Sequence, residues 1–494
     1  MASPRPPLSS IKYLAFEGGG GKGLVYLGAI RALEELTPAP EPEAAQVDEN
    51  QFEPPLPAGH VEGQAPLITI GQPIAERKLY GLSGASAGAI TAFMLAMGMS
   101  ANSIEAEIDE QAPGGLRQDP WPSRPRPANR LELFFEDPDA YGSRQWSPTS
   151  RAKEYENWTL VRGSIRAWMM LPPTNRLLSV VGGRADGVLA RRLISVDQGL
   201  GTLHPNSHGH PRLADYLYGL LLNRGIFPGF EARKYFGGLF ERYLYPKLDL
   251  MKVYIEKKPG EMVTFKDFFN MTGVDLVVTG TNVSKNRSAY FSVGYTPDFS
   301  VAEAVAISMS IPLLFKPVLI DGDVNRYASP EYNESYRGLW VDGGMLNNYP
   351  IHAFDHTARM PGLTFQNRSN TAGGFTVAMP SATEQQFNRS CAGFRLGLRN
   401  NAKYEVADDF GEDKLGVLGP YLGSLLLTIL ADASDSQMKS AEEWARTCML
   451  DPTGLGLVDF AGPSIDVARG KPDRAIPKRE AIEKAFQSTM AFWK

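Results

Sequence analysis

The sequence predicts an α/β fold, a β-sheet layered with helices, on three observations. Residues 11–16 (IKYLAF) form a short apolar run that stops at glycines, and residues 24–36 (LVYLGAIRALEEL) then repeat apolar side chains at helical spacing. Residues 78–82 form a second short run, which ends in the stretch GLSGASAGAITAFM and continues as a helix over residues 87–97. A third short strand, residues 339–341, is closed by Asp342-Gly343-Gly344. Two strand–turn–helix units in succession are the signature of a layered α/β chain.

The remaining elements follow in order. Residues 37–72 are rich in Pro, Glu and Ala with few large apolar side chains, the composition of a surface insertion. Residues 100–223 read less clearly; within them residues 117–192 hold twelve Arg and one Lys against eight acidic residues, a basic stretch in a chain of net charge −5. Residues 225–245 have helical character, with Phe236, Phe240 and Leu244 four apart. Residues 276–278 and 289–293 read as strands, and residues 301–309 as a helix that must end before Pro312. The region after Ser381 reads as mostly helical and ends in an amphipathic helix over residues 478–493. Its stripe of Ile482, Phe486, Met490 and Trp493 suits docking on the core, or else a membrane surface.

Composition bounds the function. With 43% hydrophobic and 21% charged residues, the 494-residue chain reads as an ordinary globular protein. A net charge of −5 supplies no basic field for nucleic acid. The two cysteines, Cys391 and Cys448, make neither a disulfide framework nor a metal site. The N-terminus lacks a secretory pattern and no apolar run is long enough to span a bilayer, so the expected location is cytoplasmic or non-classically exported, with any membrane contact peripheral.

Three motifs carry chemistry. Gly84-Ala85-Ser86-Ala87-Gly88 fits G-x-S-x-G, in which a nucleophilic serine sits at a strained strand-to-helix turn and needs small neighbours. The helix behind it offers N–H groups to a developing oxyanion. The alternative is a Gly/Ser turn without chemistry. Glu17 to Gly23 (EGGGGKG) contains G-x-G-x-x-G, but the acidic residue a dinucleotide site requires would fall in the Pro-rich insertion. A phosphate-binding P-loop needs Ser or Thr after the lysine, and Gly23 follows Lys22. What remains is a loop presenting backbone N–H groups to an oxyanion, with Lys22 adding positive potential, or a loop that merely packs tightly. Asp342-Gly343-Gly344 places a carboxylate at a strand end, where catalytic groups collect, although DGG is also a common turn.

In this order the three motifs resemble those of the patatin-like phospholipases: a D-G-G-G-x-[RK]-G loop, a G-x-S-x-G elbow and a D-G-[GA] motif. Glu17 stands where the family has Asp, a change expected to matter little because the donors are backbone groups. GIFPGFEARKYFGGLF, and the stretch ending AISMSIPLLFKPV with Ile307 and Ser310 in place of two alanines, are also similar to the family, and GLGLVDF resembles its last strand. The resemblance implies a three-layer α/β/α fold with a central mixed sheet, a largely helical insertion and a helical C-terminal region. It places a catalytic domain over residues 11–356, with insertions at about 37–72 and 101–222, continued by residues 357–494. It implies a Ser86–Asp342 dyad, an oxyanion hole from Gly18, Gly19, Gly20, Gly21 and Ala87, and supporting roles for Lys22, Gly23, Gly84, Gly88, Gly343 and Gly344. No cofactor or metal is expected. The implied partners are phospholipid or another acyl-ester lipid at a membrane surface, with no nucleic acid and any activating partner unidentified.

The histidines offer rivals. Ser86, Asp342 and then His352 or His356 is the order of an α/β-hydrolase triad, although ten to fourteen residues leave little chain to return over the serine. On a helix His352 and His356 would share a face and could bind zinc, but the glutamate of H-E-x-x-H is absent, and the plainer reading is of helix-surface histidines after Pro350. His204, His208 and His210 read as a solvated loop. Arg side chains of the basic stretch, with Trp121, Trp158 and Trp168, suit either a lid over lipid headgroups or an ordinary solvated face. A non-catalytic nucleotide-binding module is the rival of another class.

Overall fold

The computed structural model describes residues 5–36, 79–109, 111–117, 126–129, 134, 224–227, 229–250, 257–320, 336–355, 387–397, 434, 438–452, 455 and 475–494. The strands are β1 (Tyr13–Phe16), β2 (Gly81–Gly84), β3 (Gln111–Arg117), β4 (Arg126–Asn129), β5 (Gly225–Phe227), β6 (Asp275–Asn282), β7 (Arg287–Phe291), β8 (Leu313–Phe315), β9 (Val318–Ile320), β10 (Gly338–Asp342), β11 (Cys391–Leu396) and β12 (Thr447–Leu450). The α-helices are α1 (Tyr26–Leu36), α2 (Ala87–Ala96), α3 (Ala101–Asp109), α4 (Phe230–Leu239), α5 (Tyr245–Leu250), α6 (Phe265–Thr272), α7 (Val301–Ser308), α8 (Ala441–Ala445) and α9 (Ala475–Trp493).

One mixed sheet organises the site, in the order β12-β11-β1-β2-β6-β10-β9, with β7 also paired to β6. From β12 to β6 the pairings are parallel; β10 and β7 run antiparallel to β6. The central strands are buried along their length apart from half-buried Tyr13, as parallel strands covered on both faces must be. Register then levels the three motifs. Phe16 pairs Gly84, Gly84 pairs Val278, and Gly280 two residues further along β6 pairs Asp342. The chain just past β1, the chain just past β2 and the end of β10 therefore meet on one edge of the sheet.

Helices cover the sheet. Phe93 of α2 meets Phe236, Phe240 and Phe268, so α2 is buried between the sheet and the helices that follow the insertion. A π-helical turn, Phe240–Leu244, links α4 to α5 and keeps Phe240 and Leu244 in that core. On α1, a Cβ at Gly28 would lie 1.9 Å from Ile482 O, so only glycine lets α9 approach so closely. Ile482 and Met490 are buried there and Trp493 meets Phe394 edge-on. The C-terminal stripe therefore docks on the core.

The two strand–turn–helix units, the mixed sheet and its helical layers agree with the sequence reading. One difference stands out. Beyond Ser381, where mostly helix is expected, β11 (CAGFRL) and β12 (TCML) extend the main sheet beside β1, as short, almost wholly buried strands that pair in parallel between two covered faces. GLGLVDF apart from Leu455, and most of the insertions, including Trp121, Trp158, Trp168 and the histidines at 204, 208 and 210, lie outside the described residues.

Candidate active site

Ser86 occupies the turn between β2 and α2 with φ 49° and ψ −122°, a left-handed conformation that non-glycine residues rarely adopt. The neighbours explain why the turn is possible. A Cβ at Gly84 would lie 2.3 Å from the Gly88 carbonyl carbon, and one at Gly88 would lie 2.4 Å from Phe16 O. Ser86 caps α2 without using its hydroxyl, which is therefore left for other work. Ala87 begins α2, so its N–H has no carbonyl within the helix to bond. The Ser86 N–H itself donates to Ser308 Oγ at 3.0 Å.

The glycine loop crosses directly over this elbow. A Cβ at Gly18 would lie 3.0 Å from Ser86 Cβ, and one at Gly23 would lie 2.7 Å from Ala87 Cβ. Gly20 has φ +55° and opens a 3-10 turn, Gly20–Val25, in which Lys22 N–H bonds Gly19 O. The first N–H groups of such a turn, here those of Gly20 and Gly21, have no partner within it. Gly18 differs from the other glycines. Its N–H donates to Asn348 O at 2.9 Å, so in this structure it is not available to an oxyanion; its part is to admit the close approach. Lys22 is partly buried, and desolvation lowers its pKa, with the Glu17 charge acting the other way.

Asp342 ends β10 and is 1% exposed. Its Oδ1 accepts the Gly344 N–H at 2.7 Å, the turn that its two glycines permit. A Cβ at Gly343 would lie 2.0 Å from Thr279 Oγ1, which also bonds Gly84 O, so Thr279 ties the DGG turn to the elbow strand. Burial pushes the Asp342 carboxyl up to about 7, with the Gly344 amide and the Ser86 hydroxyl pulling it back. Oδ2 nevertheless has no partner of good hydrogen-bond geometry. Asp342 N–H bonds Ser310 O at 2.9 Å, so the last residue of α7 and the chain just past it hold the backbone of Ser86 and Asp342.

Glu17 has contacts that the sequence does not reveal. Its side chain is buried, Oε2 accepts the Leu396 N–H and Arg395 lies beside it. Burial pushes this carboxyl to about 7 against the opposing Arg395 charge. Ser308, Asn348 and the Glu17 contacts escape sequence reading because their partners are remote in the chain. Ser308 does lie in the quoted AISMSIP stretch, and Asn348 follows closely on the DGG motif.

Both ring nitrogens of His352 have partners other than the serine. Its Nδ1 bonds Asp355 Oδ2 at 2.7 Å and its Nε2 lies 3.0 Å from Glu443 Oε1, with Arg446 bound to the same Asp355 at 2.6 Å. His356 lies outside the described residues. Among the described residues, no group of three or more His, Cys, Asp or Glu could hold a metal ion, and no helix is long and apolar enough to cross a membrane. His352→Ala is expected to destabilise the fold by about 1–3 kcal/mol, since it removes one of several partners from the buried network of Asp355, Glu443 and Arg446. Turnover per folded molecule should stay near wild type; thermal melts and active-site-normalised rates would check both.

The sequence model of the family described as patatin-like phospholipase matches residues 14–355. The chain belongs to this family. The patatin-like chain is 30% identical over 95 residues to the "Probable lipid hydrolase 463L" of Invertebrate iridescent virus 6, covering 19% of the chain and 28% of that protein. It is 29% identical over 138 residues to "Uncharacterized protein R571" of Acanthamoeba polyphaga mimivirus, covering 28% of the chain and 41% of that protein. It therefore spans less than half the length of these curated relatives. Among solved structures, VipD from Legionella pneumophila aligns with all of the patatin-like chain and 67% of its own, at 15% identity and a TM-score of 0.34. ExoU from Pseudomonas aeruginosa, in complex with SpcU, aligns with 99% of the chain and 54% of its own, at 14% identity and a TM-score of 0.31. Those whole-chain likenesses are distant.

Proposed function

We propose that this protein is a serine-dependent lipid acyl hydrolase, of phospholipase A or lysophospholipase type, working through Ser86 and Asp342. The observation that carries the reading is the strained, small-walled Ser86 elbow whose hydroxyl interacts with a buried, proton-poised Asp342. Ser86 Oγ attacks the ester carbonyl carbon while Asp342 takes its proton, and the carbonyl oxygen becomes an oxyanion facing the Gly19 to Gly21 and Ala87 amides. Collapse expels the alcohol, which recovers the proton, and leaves an acyl-serine. Water then attacks that ester, giving its proton to Asp342, and the fatty acid departs as the serine is restored.

An apolar crevice between α1, α2 and α3 supports an acyl substrate. Gly20 and Ala87 line it together with Leu27, Ile30, Ile90 and Ile104, so an acyl chain lying there would bring its carbonyl to the proposed donors. A triad through His352 is disfavoured because both of its ring nitrogens face Asp355 and Glu443. A phosphate cradle is disfavoured because Gly18 N–H is already bonded to Asn348.

Incubation with phosphatidylcholine vesicles, followed by lipid mass spectrometry, tests the proposal. Free fatty acid and lysophospholipid should accumulate with wild type and not with Ser86→Ala; unchanged lipid in both would overturn it. The pH profile has a stated sign. Because Asp342 is raised to about 7, it holds its proton below that pH and cannot act as a base. kcat/KM should therefore rise through about pH 7 and level off above it. The stability contribution runs the other way. Between about 4 and 7 the unfolded chain releases this proton while the native state keeps it, so Asp342 lowers stability as pH rises through that window, and Glu17 does the same.

A further inference from the structure

We infer that Asn348 is a positioning residue that fixes the orientation of the glycine loop, and that Ser434 holds Asn348 in that role; the inference rests on the reading of that loop as an oxyanion hole. Asn348 is 3% exposed and grips Gly18 from two sides. Its backbone carbonyl accepts the Gly18 N–H at 2.9 Å, and its Nδ2 donates to Gly18 O at 3.1 Å. The second bond matters most. Gly18 C=O and Gly19 N–H belong to one planar trans peptide and point in opposite directions. Anchoring the carbonyl therefore aims the Gly19 N–H. Between two glycines nothing in the side chains resists rotation of that peptide, so the anchor must come from elsewhere.

The anchor is itself oriented. Asn348 Nδ2 makes its second bond to Ser434 Oγ at 2.8 Å, and Ser434 is 1% exposed. Two donor bonds from one nitrogen fix which end of the amide is nitrogen, so Oδ1 is the atom left against the Gly18 Cα, where a Cβ would approach it to 2.3 Å. Ser434 lies beyond residues 14–355, the part of the chain that matches the family model. The relay Ser434–Asn348–Gly18 thus carries control of the donor loop from the C-terminal region to a site one residue from the proposed oxyanion donors.

The test compares wild type with Asn348→Asp and Ser434→Ala, each checked for fold by circular dichroism and titrated for active sites with a fluorophosphonate. Asn348→Asp keeps the shape and turns an N–H donor into an oxygen facing Gly18 O. Per titrated site, its kcat should fall by about 10²-fold, the scale of losing one oxyanion donor, with KM within about threefold. Ser434→Ala keeps the Gly18 bond, loosens the amide and removes the hydroxyl from the adjoining Glu17 carboxyl, so its kcat should fall by about tenfold, again without a KM change. If Asn348→Asp does not fold, Ser434→Ala alone decides. Per-site kcat within about twofold of wild type in the folded variants would overturn the inference, and so would fewer titratable sites each turning over at the wild-type rate, which assigns the relay to the fold. A wild type that the fluorophosphonate does not label sinks the serine mechanism instead.

Discussion

Ser86→Ala is expected to abolish ester hydrolysis and fluorophosphonate labelling while leaving the protein folded. The hydroxyl makes no helix-capping bond, so its removal opens no buried donor or acceptor within α2. The backbone N–H bond to Ser308 remains available to alanine. Losing a serine nucleophile typically costs on the order of 10⁶ in kcat. A paired variant sharpens the reading. At φ 49° glycine relaxes what alanine cannot, so Ser86→Gly should be equally inactive yet about 1 kcal/mol more stable than Ser86→Ala. Turnover of a soluble p-nitrophenyl ester by Ser86→Ala would remove the serine from the mechanism. Equal melting temperatures for the two variants would show that the turn stores no strain.

Asp342→Asn is expected to be the second most damaging change, lowering turnover by about 10² to 10⁴, the usual contribution of a general base. Asparagine has nearly the same size and can still accept the Gly344 N–H through its amide oxygen, so the DGG turn survives. It cannot take a proton. The rise of activity through about pH 7 should disappear along with the rate. If Asp342 only formed the turn, asparagine would be among the best replacements and activity would barely move. Rates and pH profiles of one ester, measured on the folded variant, separate the two cases. Activity within a few-fold of wild type would leave Ser86 without an identified base.

What the sequence made legible was local. β1 and its glycine loop, β2 with the Ser86 elbow and α2, and β10 with the DGG turn are each written in a few adjacent residues whose sizes dictate the backbone. The parallel register that levels them is not local, and neither are the bonds that tune them. Ser308, Asn348 and Leu396 reach the site from other elements, and a single serine, asparagine or leucine carries no periodic or compositional mark. Glu17 shows the same limit: as a departure from Asp it looked incidental, yet the side chain bonds a strand whose place in the sheet only the fold reveals. β11 and β12 were missed for a related reason. Short buried strands lack the alternation that exposes a half-buried one.

The position of β1 sets the order in which the molecule can be built. Tyr13 is flanked by Gly81 on one side and Cys391 on the other, so the first strand made must wait for one of the last. At roughly 5–20 residues per second, a ribosome needs on the order of 20 to 80 s to travel from one partner to the other. Throughout that interval Glu17 has no Leu396 amide to bind and Asn348 has no Ser434. Pairing over such a separation is also slow after release, because the loop must close before any contact rewards it. A nascent chain thus carries its complete Ser86 elbow long before the glycine loop is seated, and hydrolysis should be among the last properties a newly made molecule acquires.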